Sequence, residues 1–217
     1  MTKRELLIRI QTNPDLSGLD LSGIKLSELD LIGINFSKSI LKNADLSKSN
    51  LSLCIFDGAI LIDCKIDSSN LTGASFKEAL LTGADFNFSF LPGADFSNAK
   101  MDKVNLLNAK ITACNFQNAS LEEANLQMAE ASLANFKNAN LKGANLKQAT
   151  FTGADFSNAY MEGVIFYKTE LSGAKFIGAN LKNAEFFYCI LIATDFTNAI
   201  FDGVVYEKNY ELRLKKS

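Results

Sequence analysis

Most neutral-pH catalysis by side chains begins with an imidazole, and this chain of 217 residues contains no His. The usual hydrolytic triads, most zinc sites and the commonest general bases are therefore closed to it. Cys54, Cys64, Cys114 and Cys189 offer thiols, but no two are spaced Cys-x-x-Cys, so neither a redox motif nor a metal site is expected. Carboxylates such as Asp15, Asp45 and Asp155 each precede a large apolar residue, with Ser or Thr often just after it. That arrangement recurs along the whole chain, so no one nucleophile, base and orienting group can be singled out. The expectation is a protein with no catalytic residues, no cofactor and no metal.

What positions these residues is a repeat of five. Every fifth residue from Leu16 to Phe201 gives 38 positions, of which 37 are Leu, Phe, Ile or Met and one is Ala131. With that position called i, the residue at i−2 is small, mostly Ala, except for Pro14, Leu19, Ile24, Leu29 and Ile34 at the front. Position i−1 is commonly Asp or Asn, and all 13 Gly fall at i+2. A period of five suits neither a helix nor a strand. It suits a chain that turns a corner every five residues, with one large and one small side chain inside and three positions outside. Gly at i+2 points to a corner whose backbone angles disfavour a Cβ atom, and the Asx at i−1 can hydrogen-bond nearby backbone to hold the turn.

A longer period sets the number of sides. Phe36, Phe56, Phe76, Phe96, Phe116, Phe136, Phe156, Phe176 and Phe196 follow one another at a spacing of twenty, while the intervening i positions are mostly Leu, Ile or Met. Twenty residues thus make one four-sided turn, and rings on successive turns stack at the strand spacing of about 4.8 Å. About nine to ten such coils make an all-β solenoid roughly 45 Å long. The four Cys all fall at the inward small position. Only Cys54 and Cys114 share a side, three coils apart, and Cys54 and Cys64 face each other across one coil. They are expected to be buried, reduced thiols.

Runs such as Ala84-Asp85-Phe86-Asn87, Ala94-Asp95-Phe96-Ser97-Asn98, Ala144-Asn145-Leu146-Lys147 and Gly153-Ala154-Asp155-Phe156-Ser157 resemble the pentapeptide-repeat pattern, Ala-(Asp/Asn)-(Leu/Phe)-x-x, and the resemblance runs from residue 14 to 203. It implies a right-handed quadrilateral β-helix, a hand that the spacing does not show. It also implies two classes of function: a protein-binding rod, or a DNA-mimicking modulator of a type II topoisomerase such as gyrase, as in the quinolone-resistance members, whose rods are dimeric.

The ends of a solenoid need covering. Residues 1–15 carry Thr2-Lys3-Arg4-Glu5, in the form of a capping box, followed by Leu6, Leu7 and Ile10 on one face, which predicts a short N-terminal capping helix. Residues 16–203 form the coil. Residues 204–217, with Val205, Tyr206, Tyr210, Leu212 and Leu214, are expected either to cap the last coil or to meet a second molecule there as a homodimer through the C-terminal end. No secretory or membrane-spanning segment is read from the sequence, and the expected compartment is the cytoplasm.

Two apolar surfaces are candidates for interaction. Ile40, Ile60 and Leu80 stack at i−1 on consecutive coils, either as an interface or as a tolerated apolar stripe. On another side, toward the C-terminus, lie Phe88, Leu107, Met128, Ile165, Tyr167, Phe187 and Tyr188. Asn98, Asn118, Asn138, Asn158 and Asn198 form an outward column that is read as structural, since stacked amides bond one another. The net charge of −2 argues against a polycationic nucleic-acid binder, so no direct nucleic-acid contact is expected. The coil alone sums to −5, once +1 from residues 1–15 and +2 from residues 204–217 are removed. Its signs are mixed, however, as in Lys42, Asp102, Glu122, Lys142, Glu162, Lys182 and Asp202 along one column, and mimicry of DNA needs a stripe of one sign. The sequence therefore favours a non-catalytic module that binds a protein partner.

Overall fold

A computed structural model describes residues 3–206. It opens with a helix, α1 (Lys3–Thr12), whose Leu6 is fully buried and whose Ile10 packs partly against the coil core. From there the chain climbs in steps of twenty. Parallel bridges join each i−1 residue to its counterpart one turn later, from Asp15↔Asn35 to Asn180↔Ile200. On the last three turns of one side the bridges lengthen into short strands, β1 (Ile165–Tyr167), β2 (Glu185–Phe187) and β3 (Val205–Tyr206), paired parallel in the order β1-β2-β3. Residues 204–206 therefore add one more side to the coil, with Val205 opposite Glu185 and Tyr206 opposite Phe186. The rest of the expected cap, 207–217, lies outside the described residues.

Each rung uses the same hydrogen bonds. The N–H groups at i and i+2 donate upward, as from Leu16 to the Asn35 carbonyl at 2.8 Å and from Gly18 to Ser37 at 2.9 Å, and the N–H at i−1 donates downward, as from Asn35 to Pro14 at 3.0 Å. At most corners the i−2 N–H turns back to the preceding i carbonyl, as from Ala44 to Leu41 at 3.0 Å. The third residue of every corner, from Gly18 to Gly203, has φ between +53° and +70°, whether or not it is Gly. Left-handed backbone favours Gly and tolerates Asn, which explains the composition of that column. The sequence signal was thus only partial, because 25 side-chain-bearing residues adopt the same strained angle.

The interior is a set of columns. All nine Phe from Phe36 to Phe196 stack on one side, with successive centroids 4.7–5.1 Å apart and planes within 12° of parallel. Phe86, Phe166 and Phe186, from the opposite side, and Phe151, from an adjacent one, meet this column edge-on. The Phe column defines the first side here. The second contains Leu41 to Phe201, the third Leu46 to Tyr206, and the fourth Leu51 to Leu191.

The small column of the fourth side holds a chain of hydroxyls. Ser49, Ser69 and Ser89 are buried, and the Leu29, Ser49 and Ser69 N–H groups donate to the hydroxyl one coil above, each at 3.1 Å. Each hydroxyl in turn donates to the carbonyl of Leu26, Leu46 or Ile66 at 2.7–3.0 Å. The thiols sit in equivalent places: Cys54 and Cys114 donate to the Leu31 and Leu91 carbonyls at 2.9 Å. All four Cys are buried. Burial pushes the Cys54 and Cys114 thiols up to about 12, and Cys64 higher still.

Candidate interaction surface

Two kinds of polar clamp hold the outer surface. In the first, the Asx at i−1 accepts the i+1 N–H of its own corner, as from Ser97 to Asp95 at 2.9 Å and from Lys147 to Asn145 at 3.2 Å. A hydroxyl at i+1 adds a second bond, and that of Ser47 holds the Asp45 carboxyl below its ordinary value. The second appears where i−1 is Ser. There the Asp at i+1 of the coil below reaches up: Asp57 accepts from Ser75 and from the Lys77 N–H, and Asp102 from Ser120 and from the Glu122 N–H. Amides also ladder between coils. Asn118 donates to Asn98 and Asn138 to Asn118, both at 3.1 Å, and a second amide ladder rises through Asp85, Asn105 and Asn125 on the third side.

Opposite charges pair coil to coil. Glu28 with Lys48, Lys103 with Glu123, and Lys110 with Glu130 are each twenty residues apart, at 3.6–3.9 Å. Such exposed pairs add little stability. Their effect is to alternate sign along a column, so that no long single-sign stripe forms there.

The candidate residues divide among three places. Ile40, Ile60 and Leu80 are neighbours on the second side, bridged Ile40↔Ile60 and Ile60↔Leu80, but each is half-buried, so the stripe is less open than its outward register suggests. Phe88, Leu107 and Met128 mount the third side one coil at a time, with Phe88 and Met128 exposed and Leu107 half-buried. Farther along that side, Ile165, Tyr167 and Phe187 converge over β1 and β2. With Lys147, Gln148 and Glu185 they line an open groove of about 340 Å³. Tyr188 meets Tyr167 edge-on at 5.5 Å between centroids, while Lys168 lies 5.5 Å over the Tyr167 ring.

Sequence reasoning passed over exposed apolar residues on the fourth side. Leu53 and Leu133 are among the most exposed in the protein, at 62% and 67%. Each lies over the glycine of the next coil, so that a Cβ built on Gly73 or Gly153 would come within 3.1 or 2.9 Å of its methyl. The signal was available, as a Leu at i+2 with Gly twenty residues on. Ile190 and Ile192, on the last turn of that side, were missed as well.

Eight copies of the pentapeptide-repeat family model match the chain, over residues 20–58, 59–98, 91–127, 132–166 and 165–203. The chain belongs to the pentapeptide-repeat family. Among solved structures, this pentapeptide-repeat protein is similar to a trypsin-treated variant of QnrB1, a plasmid-mediated fluoroquinolone resistance protein, with 21% identity, 91% of this chain and 94% of that chain covered, and a TM-score of 0.61. It is also similar to HetL, involved in heterocyst differentiation regulation in the cyanobacterium Nostoc sp. strain PCC 7120, with 22% identity, 96% and 98% covered, and a TM-score of 0.44. A pentapeptide repeat protein of the Arabidopsis thaliana thylakoid lumen is 34% identical over 69% of this chain and 70% of its own, with a TM-score of 0.27. No curated protein matches. The likeness to QnrB1 shows a shared fold, the right-handed β-helix of pentapeptide-repeat proteins. Among the described residues no helix is long and apolar enough to cross a membrane, and no group of His, Cys, Asp or Glu side chains is placed to hold a metal ion.

Proposed function

We propose that this pentapeptide-repeat protein is a non-catalytic rod that binds another protein through the C-terminal part of its third side. The observation that carries this is the groove over β1 and β2. It offers Tyr167, Phe187 and Ile165 as an apolar floor and Lys147, Gln148 and Glu185 as a polar rim. Aromatic anchors ringed by polar groups are the composition of a binding surface. The rigid ladder beneath fixes their spacing, so little conformational freedom is lost when a partner arrives.

The test compares proteins captured from lysate by the wild type, by Tyr167→Glu/Tyr188→Glu, and by Leu133→Glu on the fourth side. A partner held by the wild type and by Leu133→Glu but lost from the double variant supports the proposal. Retention by all three refutes it. The second reading, a topoisomerase modulator, draws on the coil charge of −5 and on the likeness in fold to QnrB1. It is opposed by the alternation of sign between coils. Gyrase supercoiling that is unaltered by micromolar protein, with no protection from a quinolone, would dispose of it.

A further inference from the structure

The fourth side differs from the other three in charge. From Ile32 to Ala193, no residue at i+1 or i+2 on that side is charged. Its i+1 column is Ser or Thr except for Ile32, Pro92 and Ile192, and its i+2 column is Gly or Ala except for Leu53 and Leu133. The same columns of the second side hold Lys42, Asp102, Lys103, Glu122 and Glu123 among others. Hydroxyls on the uncharged strip find partners within their own corners, as where Ser52 and Thr72 donate to Asn50 and Asn70 at 2.7 Å. Removing water from the strip therefore strands few polar groups. Ile32 and Phe90 are exposed on this side together with Leu53 and Leu133.

What covers such a face follows from where its charges fall. They are confined to the i−1 column, as Asp30, Lys110, Glu130 and Glu170, and Lys110 pairs with Glu130 of the next coil at 3.6 Å. A second copy laid antiparallel, with a two-fold axis crossing the rods midway between these two coils, sets one i−1 column against the other. Lys110 of each copy then meets Glu130 of the other, Glu170 meets Asn70 and Thr150 meets Phe90, so no like charges face one another. An axis moved half a coil either way would set Lys110 or Glu130 against itself. Parallel rods would press these charges against the uncharged strip without partners.

In the antiparallel register the two leucines also find room. Leu133, leaning toward Gly153, comes opposite Gly93 and Ala113, and Leu53, leaning toward Gly73, comes opposite Gly173 and Ala193. Roughly eight coils overlap, which at strand spacings is a surface about 38 Å by about 16 Å, or about 600 Å² from each copy. A total of about 1,200 Å² lies at the lower end of specific interfaces.

We infer that the fourth side binds a second copy of this chain, antiparallel, about an axis between the coils of Lys110 and Glu130. This contact does not rest on the groove over β1 and β2.

Sedimentation of the full chain tests it. The wild type is expected to be a dimer at roughly 100 µM. Lys110→Glu and Glu130→Lys should each weaken dimerisation at least about 10-fold, because each sets like charges across the axis. Both substitutions are at exposed positions, where loss of the pair leaves the fold intact. An equimolar mixture of the two variants should dimerise again, since every residue 110 then faces a residue 130 of opposite charge. That recovery separates a contact between copies from the loss of the pair within one chain. A wild type that is monomeric at that concentration would overturn the inference. So would a dimer indifferent to both substitutions, as an end-to-end pair would be, or single variants that stay apart when mixed.

Discussion

Ser69→Ala removes a hydroxyl that is 2% exposed and makes bonds on two sides. It accepts the Ser49 N–H at 3.1 Å and donates to the Leu46 carbonyl at 3.0 Å. Counted as separate losses, these leave a buried N–H and a buried carbonyl unpaired, and one such orphan alone costs about 1–3 kcal/mol. The geometry gives a smaller figure. The Leu46 carbonyl is the acceptor to which the Ser49 N–H would turn at an ordinary corner, and the Ser69 hydroxyl is what occupies it. Removing the hydroxyl frees the acceptor as it strands the donor. One coil higher, Ser89 shows the outcome: with Ala109 above it, its N–H bonds the Phe86 carbonyl at 3.1 Å. The net change is one hydrogen bond, or about 1 kcal/mol. In urea, with a slope of about 2 kcal/mol per molar, the midpoint should fall by about 0.5 M with the slope unchanged. A loss of about 3 kcal/mol or more, near 1.5 M in midpoint, would mean that the corner cannot close on its own carbonyl, and the account of the hydroxyl column would be wrong.

Four further outcomes follow from the clamps and columns. Asp102→Ala should cost about 1–2 kcal/mol by uncapping the Glu122 N–H, and adding Ser120→Asn should restore most of it by supplying the cap from the corner's own i−1 position; a double variant no more stable than Asp102→Ala counts against the two-clamp scheme. Gly178→Asn should be neutral or stabilising, because Asn tolerates φ near +66° and would join the amide column above Asn158, whereas Gly178→Val should lower the melting temperature; equal effects of the two would refute the assignment. The thiols, held protonated by burial, should not react with a disulfide reagent at pH 8 in the native protein, and all four should react in denaturant; rapid native labelling would contradict their placement. Hydroxyl and N–H donation from Ser47 lowers the Asp45 carboxyl in the fold, and the bonds from Ser157 with the Lys137 charge outweigh burial at Asp155, so this stability is complete above the ordinary carboxylate value of 3.8 and is lost as pH falls through the depressed folded values; a melting temperature unmoved between about pH 5 and pH 2.5 would refute it.

Much of the fold was legible because a pentapeptide corner is a local object. The large residue, the small residue and the Asx cap lie within five positions, and the spacing of twenty in Phe36 to Phe196 sets the number of sides without any other information. The inward column, the side shared by Tyr167, Phe187 and Tyr188, and the isolation of the four thiols all follow from register alone. The place of Gly at the corners is legible in the same way, although residues as unlike as Lys38 and Met128 adopt the same angle.

Other features depend on what stands one coil above or below, which no single repeat encodes. Whether Ile40, Ile60 and Leu80 are open depends on how far each leans on its neighbour in the next rung. The caps that Asp57 and Asp102 provide replace missing ones twenty residues farther on. Leu53 and Leu133 lie flat only because Gly73 and Gly153 leave room. By itself the sequence determined the coil, its sides and the direction of each residue, since those are properties of the backbone repeat. Only the tertiary structure decided which outward side chains meet, and so where a groove opens over β1 and β2, because contact across coils depends on side-chain length and volume at two positions at once.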